Sequence, residues 1–242
     1  MGPGIIGPPR FPRPRRRSRV RLLKKKPRSF DIQVQDMTLH IIASADLNEE
    51  SRAAALSFWE QLNAYTLRNP EVRTSKRPIE IPEDAPPIVH EMIEAARSAG
   101  VGPMYSFQGA VTDYVGRFLA RTLDEITVSC GGDYFIQARK RQKLTVQARA
   151  AHPIAVVVRP VAGGVGISTT LGRGHASVDG LAILATSCML ADAVAAGVQA
   201  ILPKPDGFRL ALSYLKRVPG VHGGVVLQGE RIGMAGGVEI AA

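Results

Sequence analysis

The residues whose types could do chemistry fall into a few stretches: Asp113, Asp133, the run Ser168-Thr169-Thr170 with His175 beyond it, and Asp192, while Cys130 and Cys188 stand close to two of them. Paired carboxylates among hydroxyls suit a magnesium ion, which takes oxygen ligands, or hydrogen bonds to an uncharged ring. Residue types alone leave both open. The histidines (His40, His90, His152, His175, His222) show no zinc-like spacing, which disfavours a zinc centre. Cys188 falls at the start of a predicted helix, where a thiol pKa is lowered, and His175 would then be a base. An inert buried thiol is the commoner state of such a cysteine.

These groups need a frame. Asp133 follows Ser129-Cys-Gly-Gly132, a turn whose adjacent glycines let backbone approach a ligand because no Cβ stands in the way. The flanking runs Glu125–Ser129 and Tyr134–Ala138 are β-branched and aromatic, so the turn is expected on a rigid sheet. Residues 163–175, Gly-Gly-Val-Gly-Ile-Ser-Thr-Thr-Leu-Gly-Arg-Gly-His, read as a loop whose N–H groups and hydroxyls could cradle a phosphate, with Arg173 supplying charge. It lacks the Gly-Lys-Ser/Thr ending of a P-loop, which argues against ATPase chemistry.

Elsewhere the periodicity is plain. Phe30, Ile32 and Val34, then Met37, Leu39 and Ile41, alternate with polar residues and predict an opening hairpin. Asp46-Leu-Asn-Glu49 resembles a capping box ahead of a helix carrying Ala55, Phe58, Trp59, Leu62 and Tyr65, which Asn69-Pro70 ends. Residues 70–87 hold five prolines and predict an extended crossing. Pro87 then opens a helix that Gly100 closes. Val111, Tyr114, Val115, Phe118 and Leu119 share a helical face. Strands at residues 134–138, 144–148 and 154–158 read as an antiparallel meander. Residues 180–185 predict a strand, 187–200 an alanine-rich helix, Asp206 the cap of another, and 225–234 a closing hairpin.

With 242 residues, 45% of them hydrophobic, the chain can bury the core of one large domain or two intimately joined halves. Its formal charge of +10 suggests nucleic acid until it is mapped. Eleven of the 31 Lys and Arg fall in residues 1–30, where no acidic residue occurs, and the remaining 20 set against 21 Asp and Glu leave the body nearly neutral. Residues 1–28, rich in Pro and Arg, are expected to be a disordered arm whose partner would be phosphate-rich or an acidic protein. Only Phe11 interleaves with that charge, which ranks nucleic-acid binding below the readings given next. No apolar run reaches the roughly 18 residues of a membrane span. Two cysteines without C-x-x-C spacing point to a reducing, cytoplasmic setting.

Several short motifs, in this order and spacing, resemble the ApbE-like superfamily, whose known members are FAD:protein FMN transferases. They are Val89–Arg97, Gly100-Val-Gly-Pro-Met104, Gly131-Gly-Asp133, Ser168-Thr-Thr170, Gly174-His175 and Ala191-Asp-Ala193. The similarity runs from about Ser29 to the carboxyl end and is closest to a small branch of that superfamily. The resemblance implies an α+β fold with a mainly antiparallel sheet and packed helices. It also implies FAD or FMN held by Gly109, Asp113, Gly131, Gly132, Asp133, Ser168, Thr169, Thr170, Gly174 and His175, and Asp192 as the residue that would hold a metal. The transferases carry a lysine where this chain has Gln108, and an Ala-Asp-x-x-x-Thr pattern where it reads Ala191-Asp192-Ala-Val-Ala-Ala196. Loss of that hydroxyl weakens a magnesium site. Two functions are therefore expected in competition. One is binding of a flavin nucleotide or related bicyclic cofactor, with a divergent FMN transferase activity if active; the other is a non-catalytic scaffold or maturation factor that grips a partner through the arm.

Overall fold

Residues 27–148, 153–171 and 178–241 are described by a computed structural model. The chain opens with strands β1 (Arg28–Val34) and β2 (Met37–Ala43). Val34 pairs Met37 across a two-residue turn in which Gln35 takes φ 53°. Strict alternation buries Ile32, Val34, Leu39 and Ile41 on one face. Helices α1 (Asn48–Arg68), α2 (Pro70–Thr74), α3 (Pro87–Ala99) and α4 (Phe107–Leu119) follow, a 3-10 turn at Pro103–Ser106 leading into the last. Then come β3 (Ile126–Cys130), β4 (Asp133–Gln137), β5 (Gln142–Val146), β6 (Ile154–Val158), β7 (Val165–Leu171) and β8 (Gly180–Ala185). Helices α5 (Cys188–Ile201) and α6 (Gly207–Arg217) precede β9 (Val221–Gln228), β10 (Arg231–Gly236) and the short β11 (Ile240–Ala241).

Eight strands form one antiparallel sheet in the order β1-β2-β3-β4-β7-β8-β9-β10, and β11-β6-β5 form a second, smaller sheet. The helices cover one face of the large sheet through a core that includes Ile41, Val128, Ile183, Met92, Val111 and Val194. The small sheet covers the other face of the central strands, joining Val146, Val156 and Val158 to Ile136, Ile167, Leu184 and Val225. Every residue of β8 is consequently buried, whereas β1 and β2 keep one polar face. Each aliphatic side chain removed from water in these cores contributes about 1.5–3 kcal/mol. An α+β fold with packed helices is what these layers make. No described helix is long and apolar enough to cross a membrane.

Five local expectations need correction. Strands β4, β5 and β6 are not a meander: β4 pairs β3 and β7, while β5 and β6 leave for the second sheet. Residues 165–171 of the glycine- and hydroxyl-rich window are strand β7 rather than loop, because β-branched Ile167, Thr169 and Thr170 pair with both β4 and β8. Pro70 does not begin an extended crossing but occupies the first turn of α2, where its missing N–H costs nothing; the chain is extended only after Thr74. No side chain caps α1, although Asp46 Oδ1 accepts from Asn48 N–H at 3.4 Å, and Asp206, at φ 57°, precedes α6 without capping it. The arm is not among the described residues up to Lys26.

Candidate functional site

Three backbone approaches without a Cβ bring α4, α5 and the central strands together. A Cβ on Gly166 of β7 would collide with the backbone of Ser187 and Cys188, so the strand runs directly beneath the start of α5. One on Gly109 of α4 would lie 2.7 Å from the Cys188 carbonyl oxygen. One on Gly116 would enter the Phe135 ring. The first turn of α5 is satisfied twice: Ser187 Oγ accepts from Leu190 N–H at 3.2 Å, and Asp113 Oδ1 accepts from Cys188 N–H at 2.9 Å.

Asp113 is 2% exposed, and its other oxygen faces Arg117 Nε at 2.9 Å, an ion pair rather than an aligned hydrogen bond. Arg117 also donates to Glu91 Oε2 at 2.7 Å and stacks 4.2 Å from the centroid of Tyr114, whose hydroxyl donates to Glu91 Oε1 at 2.6 Å. Burial lifts the Asp113 carboxyl above its ordinary pKa, and Arg117 pulls it back. This network holds α3, α4 and the start of α5 in one arrangement.

A second carboxyl group is solved differently. Gly131 and Gly132 take φ 55° and 116° in the turn between β3 and β4, so Asp133 opens β4 directly across from Ser168 of β7. Thr169 N–H and Oγ1 both donate to Gly132 carbonyl oxygen, at 2.8 and 3.0 Å, binding the turn to β7. The Ser168 hydroxyl and the Asp192 carboxyl are the polar neighbours of Asp133, and Asp192 Oδ2 also receives Gly109 N–H at 3.2 Å. Among the described residues no cation balances this pair. Burial pushes Asp133 up to about 7, and burial with the nearby Asp133 charge holds Asp192 well above the carboxylate range. Two buried carboxyl groups this close titrate as a pair, and the pair holds a proton more tightly than exposed aspartates do.

Asp192 faces an open cleft of about 900 Å³, lined also by Lys76, Tyr105, Phe107, Gln108, Thr170 and Ala196, among others. A smaller cavity of about 270 Å³ near the start of α6 lies among Lys204, Phe208 and Arg231, away from this chemistry. The Gln108 amide lies against the Gly131 turn, linking cleft and turn. Asp192 and Ala196, one helical turn apart, both line the cleft. Among the described residues, no three His, Cys, Asp or Glu side chains are grouped to hold a metal ion. Magnesium wants about six oxygens in a nearly octahedral set. Asp133 and Asp192, with a methyl group at Ala196 in place of a further oxygen, fit that demand poorly.

The structure therefore sets Gly109, Gly131, Gly132, Asp133, Ser168, Thr169 and Asp192 in one contiguous group, with Thr170 and Asp192 on the cleft. Asp113 adjoins them but has both oxygens engaged within the protein. Gly174 and His175, with Arg173, lie outside the described residues. Cys188 is not an activated thiol: it is 0% exposed, its Sγ donates to Tyr134 carbonyl oxygen at 2.9 Å, and burial raises its pKa despite the helix start. Cys130 is likewise pushed up, to about 11. Sequence reasoning missed Lys76, Tyr105 and Phe107. Lys76 sits in the proline-rich crossing and carries no local signal; the two aromatics flank Ser106 just ahead of Gln108, and that clustering was the available clue.

A sequence profile of the family described as "AbpE bacteria" matches residues 20–205. The chain belongs to that family. Relatives of this ApbE-like chain include a UPF0280 protein of Methanopyrus kandleri, 26% identical over 216 residues that span 85% of this chain and 88% of the relative. A UPF0280 protein of Methanosarcina acetivorans is 27% identical over 187 residues, 73% and 74% of the two chains. The flavinyl transferase ApbE of Pseudomonas stutzeri, in its apo form, superposes with TM-score 0.56 at 14% identity over 89% of this chain and 96% of its own. A variant of the flavin transferase ApbE of Vibrio cholerae superposes with TM-score 0.56 at 12% identity, over 86% and 96%. At such identities these two likenesses establish the ApbE-like fold.

Proposed function

We propose that this ApbE-like protein binds a flavin nucleotide, or a related bicyclic cofactor, in the cleft that Asp192 faces. The observation that carries the reading is convergence. Aromatic Tyr105 and Phe107, the Gln108 amide, the Thr170 hydroxyl and the Asp192 carboxyl line one cleft of about 900 Å³, a volume that accommodates a drug-sized ligand. Apolar faces would take the ring, and the Asp192 carboxyl would offer both a donor and an acceptor to its polar edge. The names of the solved relatives, flavin and flavinyl transferases, support the same ligand class. Binding is the activity proposed. A phosphoryl-transfer step would need a charge-stabilising ion, and Ala196 offers no oxygen ligand beside Asp192.

Titration of purified protein with FAD, FMN and a pterin, with and without magnesium, tests this. Saturable binding of at least one of them, unchanged by magnesium, is expected; failure of all three to saturate removes the reading. The second reading is a partner-binding scaffold, favoured by Ala196 in the cleft and by the eleven Lys and Arg of residues 1–30. Affinity capture with and without residues 1–28 addresses it: partners lost on deletion support it, and none in either case sinks it.

A further inference from the structure

Among the described residues that line the cleft, Lys76 and Asp192 are the two charged types, and Asp192 is tied to Asp133 and to Gly109 N–H. Lys76 has no such tie. No carboxylate among the described residues pairs with it, and its Nζ stands 5.3 Å from the centroid of Tyr105, itself 40% exposed. The backbone that carries it is fixed. Ser75 Oγ accepts from Arg77 N–H at 3.2 Å and donates to Arg77 carbonyl oxygen at 2.7 Å, closing a small ring around Lys76. The same segment lies flush on residue 102, where a Cβ would collide with the Ser75 carbonyl oxygen. Lys76 is exposed, yet its backbone is pinned and an aromatic face lies beside its ammonium group.

We propose that Lys76 is the anion-reading residue of this cleft and makes it prefer phosphorylated over unphosphorylated forms of its ligand. This rests on the cleft being the flavin site. The ring packs among Tyr105, Phe107 and the α5 face, and the phosphate takes the unpaired ammonium in place of water. An ammonium acts as a point charge with three donors, so it reads charge more than shape. A charge-assisted hydrogen bond of this kind corresponds to about a tenfold change in affinity.

The test compares riboflavin with FMN on full-length wild type, Lys76→Gln and Lys76→Arg, using quenching of flavin fluorescence. Wild type should favour FMN about tenfold; K76Q should lose that preference with riboflavin affinity unchanged, and K76R should keep it. An FMN preference that survives in K76Q overturns the proposal, as does equal weakening of both ligands or no preference in wild type. If wild type binds neither flavin, the flavin reading fails by itself, and calorimetry with inorganic pyrophosphate decides the role of Lys76. Pyrophosphate bound by wild type and lost in K76Q supports an anion site; no binding to wild type, or equal binding to both, overturns it.

Discussion

Two buried acid clusters lie on either side of the start of α5, and the protein treats them in opposite ways. Around Asp113 opposite charges and donors meet: Arg117 and the Cys188 N–H for the carboxylate, Glu91 for Arg117 and Tyr114. Around Asp133 and Asp192 no cation stands among the described partners, and a hydroxyl, an N–H and a shared proton do the work. The first cluster faces neighbouring helices and the second a cleft. A closed charge network fixes the helix; an under-compensated carboxyl pair beside open space is where a ligand's polar groups find something to bind.

Breaking the closed cluster should have the largest effect. Asp113→Ala removes the acceptor for Cys188 N–H and leaves Arg117 facing a void, and a loss on the order of 3 kcal/mol is expected in urea denaturation, allowing for Arg117 being partly solvated. Asp113→Asn, which keeps a carbonyl oxygen for Cys188, should lose less.

The open pair should show itself through pH. Because Asp133 and Asp192 hold their protons more tightly in the folded chain than in the unfolded one, their contribution is fully present below about pH 4 and is lost as pH rises through about 7. Asp192→Asn replaces the shared proton with a permanent amide donor. Relative to wild type, it should gain on the order of 2 kcal/mol between pH 5 and pH 8 in denaturant midpoints. A constant difference across that range would mean that the pair carries no shared proton.

Smaller effects sharpen the contrast. Ser168→Ala removes a donor that favours ionised Asp133, so a loss of about 1 kcal/mol is expected, with the pH-dependent region moved upward. Thr170→Val keeps a β-branched residue in β7 but removes a cleft hydroxyl. Stability should change by less than about 0.5 kcal/mol while flavin affinity falls, read by denaturation and titration of the same preparation.

Much of this was legible in the sequence because local chemistry and tertiary context agree. The β1–β2 hairpin follows its alternation; Pro87 and Gly100, at φ 73°, bound α3; the Gly131-Gly132 turn delivers Asp133 to the sheet. What was not legible depends on partners remote in the chain. Strands β5 and β6 pair with each other as they would in a meander, and only the remote pairings of β4 with β7 and β6 with β11 set them in a second sheet. The window 163–175 has the glycines of a loop, yet Gly166 within it is there to admit the α5 backbone. Asp113 and Asp192 look alike in the sequence. Arg117, one helical turn beyond Asp113, was the clue that the first carboxylate is engaged within the fold. Nothing near Lys76 marks it as facing a cleft built by α5.

The central claim is that the space beside Asp192 is the ligand site, and filling it is the most direct test. Ala196→Trp places a large ring where a partly exposed methyl group now lines the cleft, leaving both acid clusters in place. Fluorescence titration of FMN should show saturable quenching with wild type and none with A196W, at matched thermal midpoints; equal affinity in the two proteins would contradict the account.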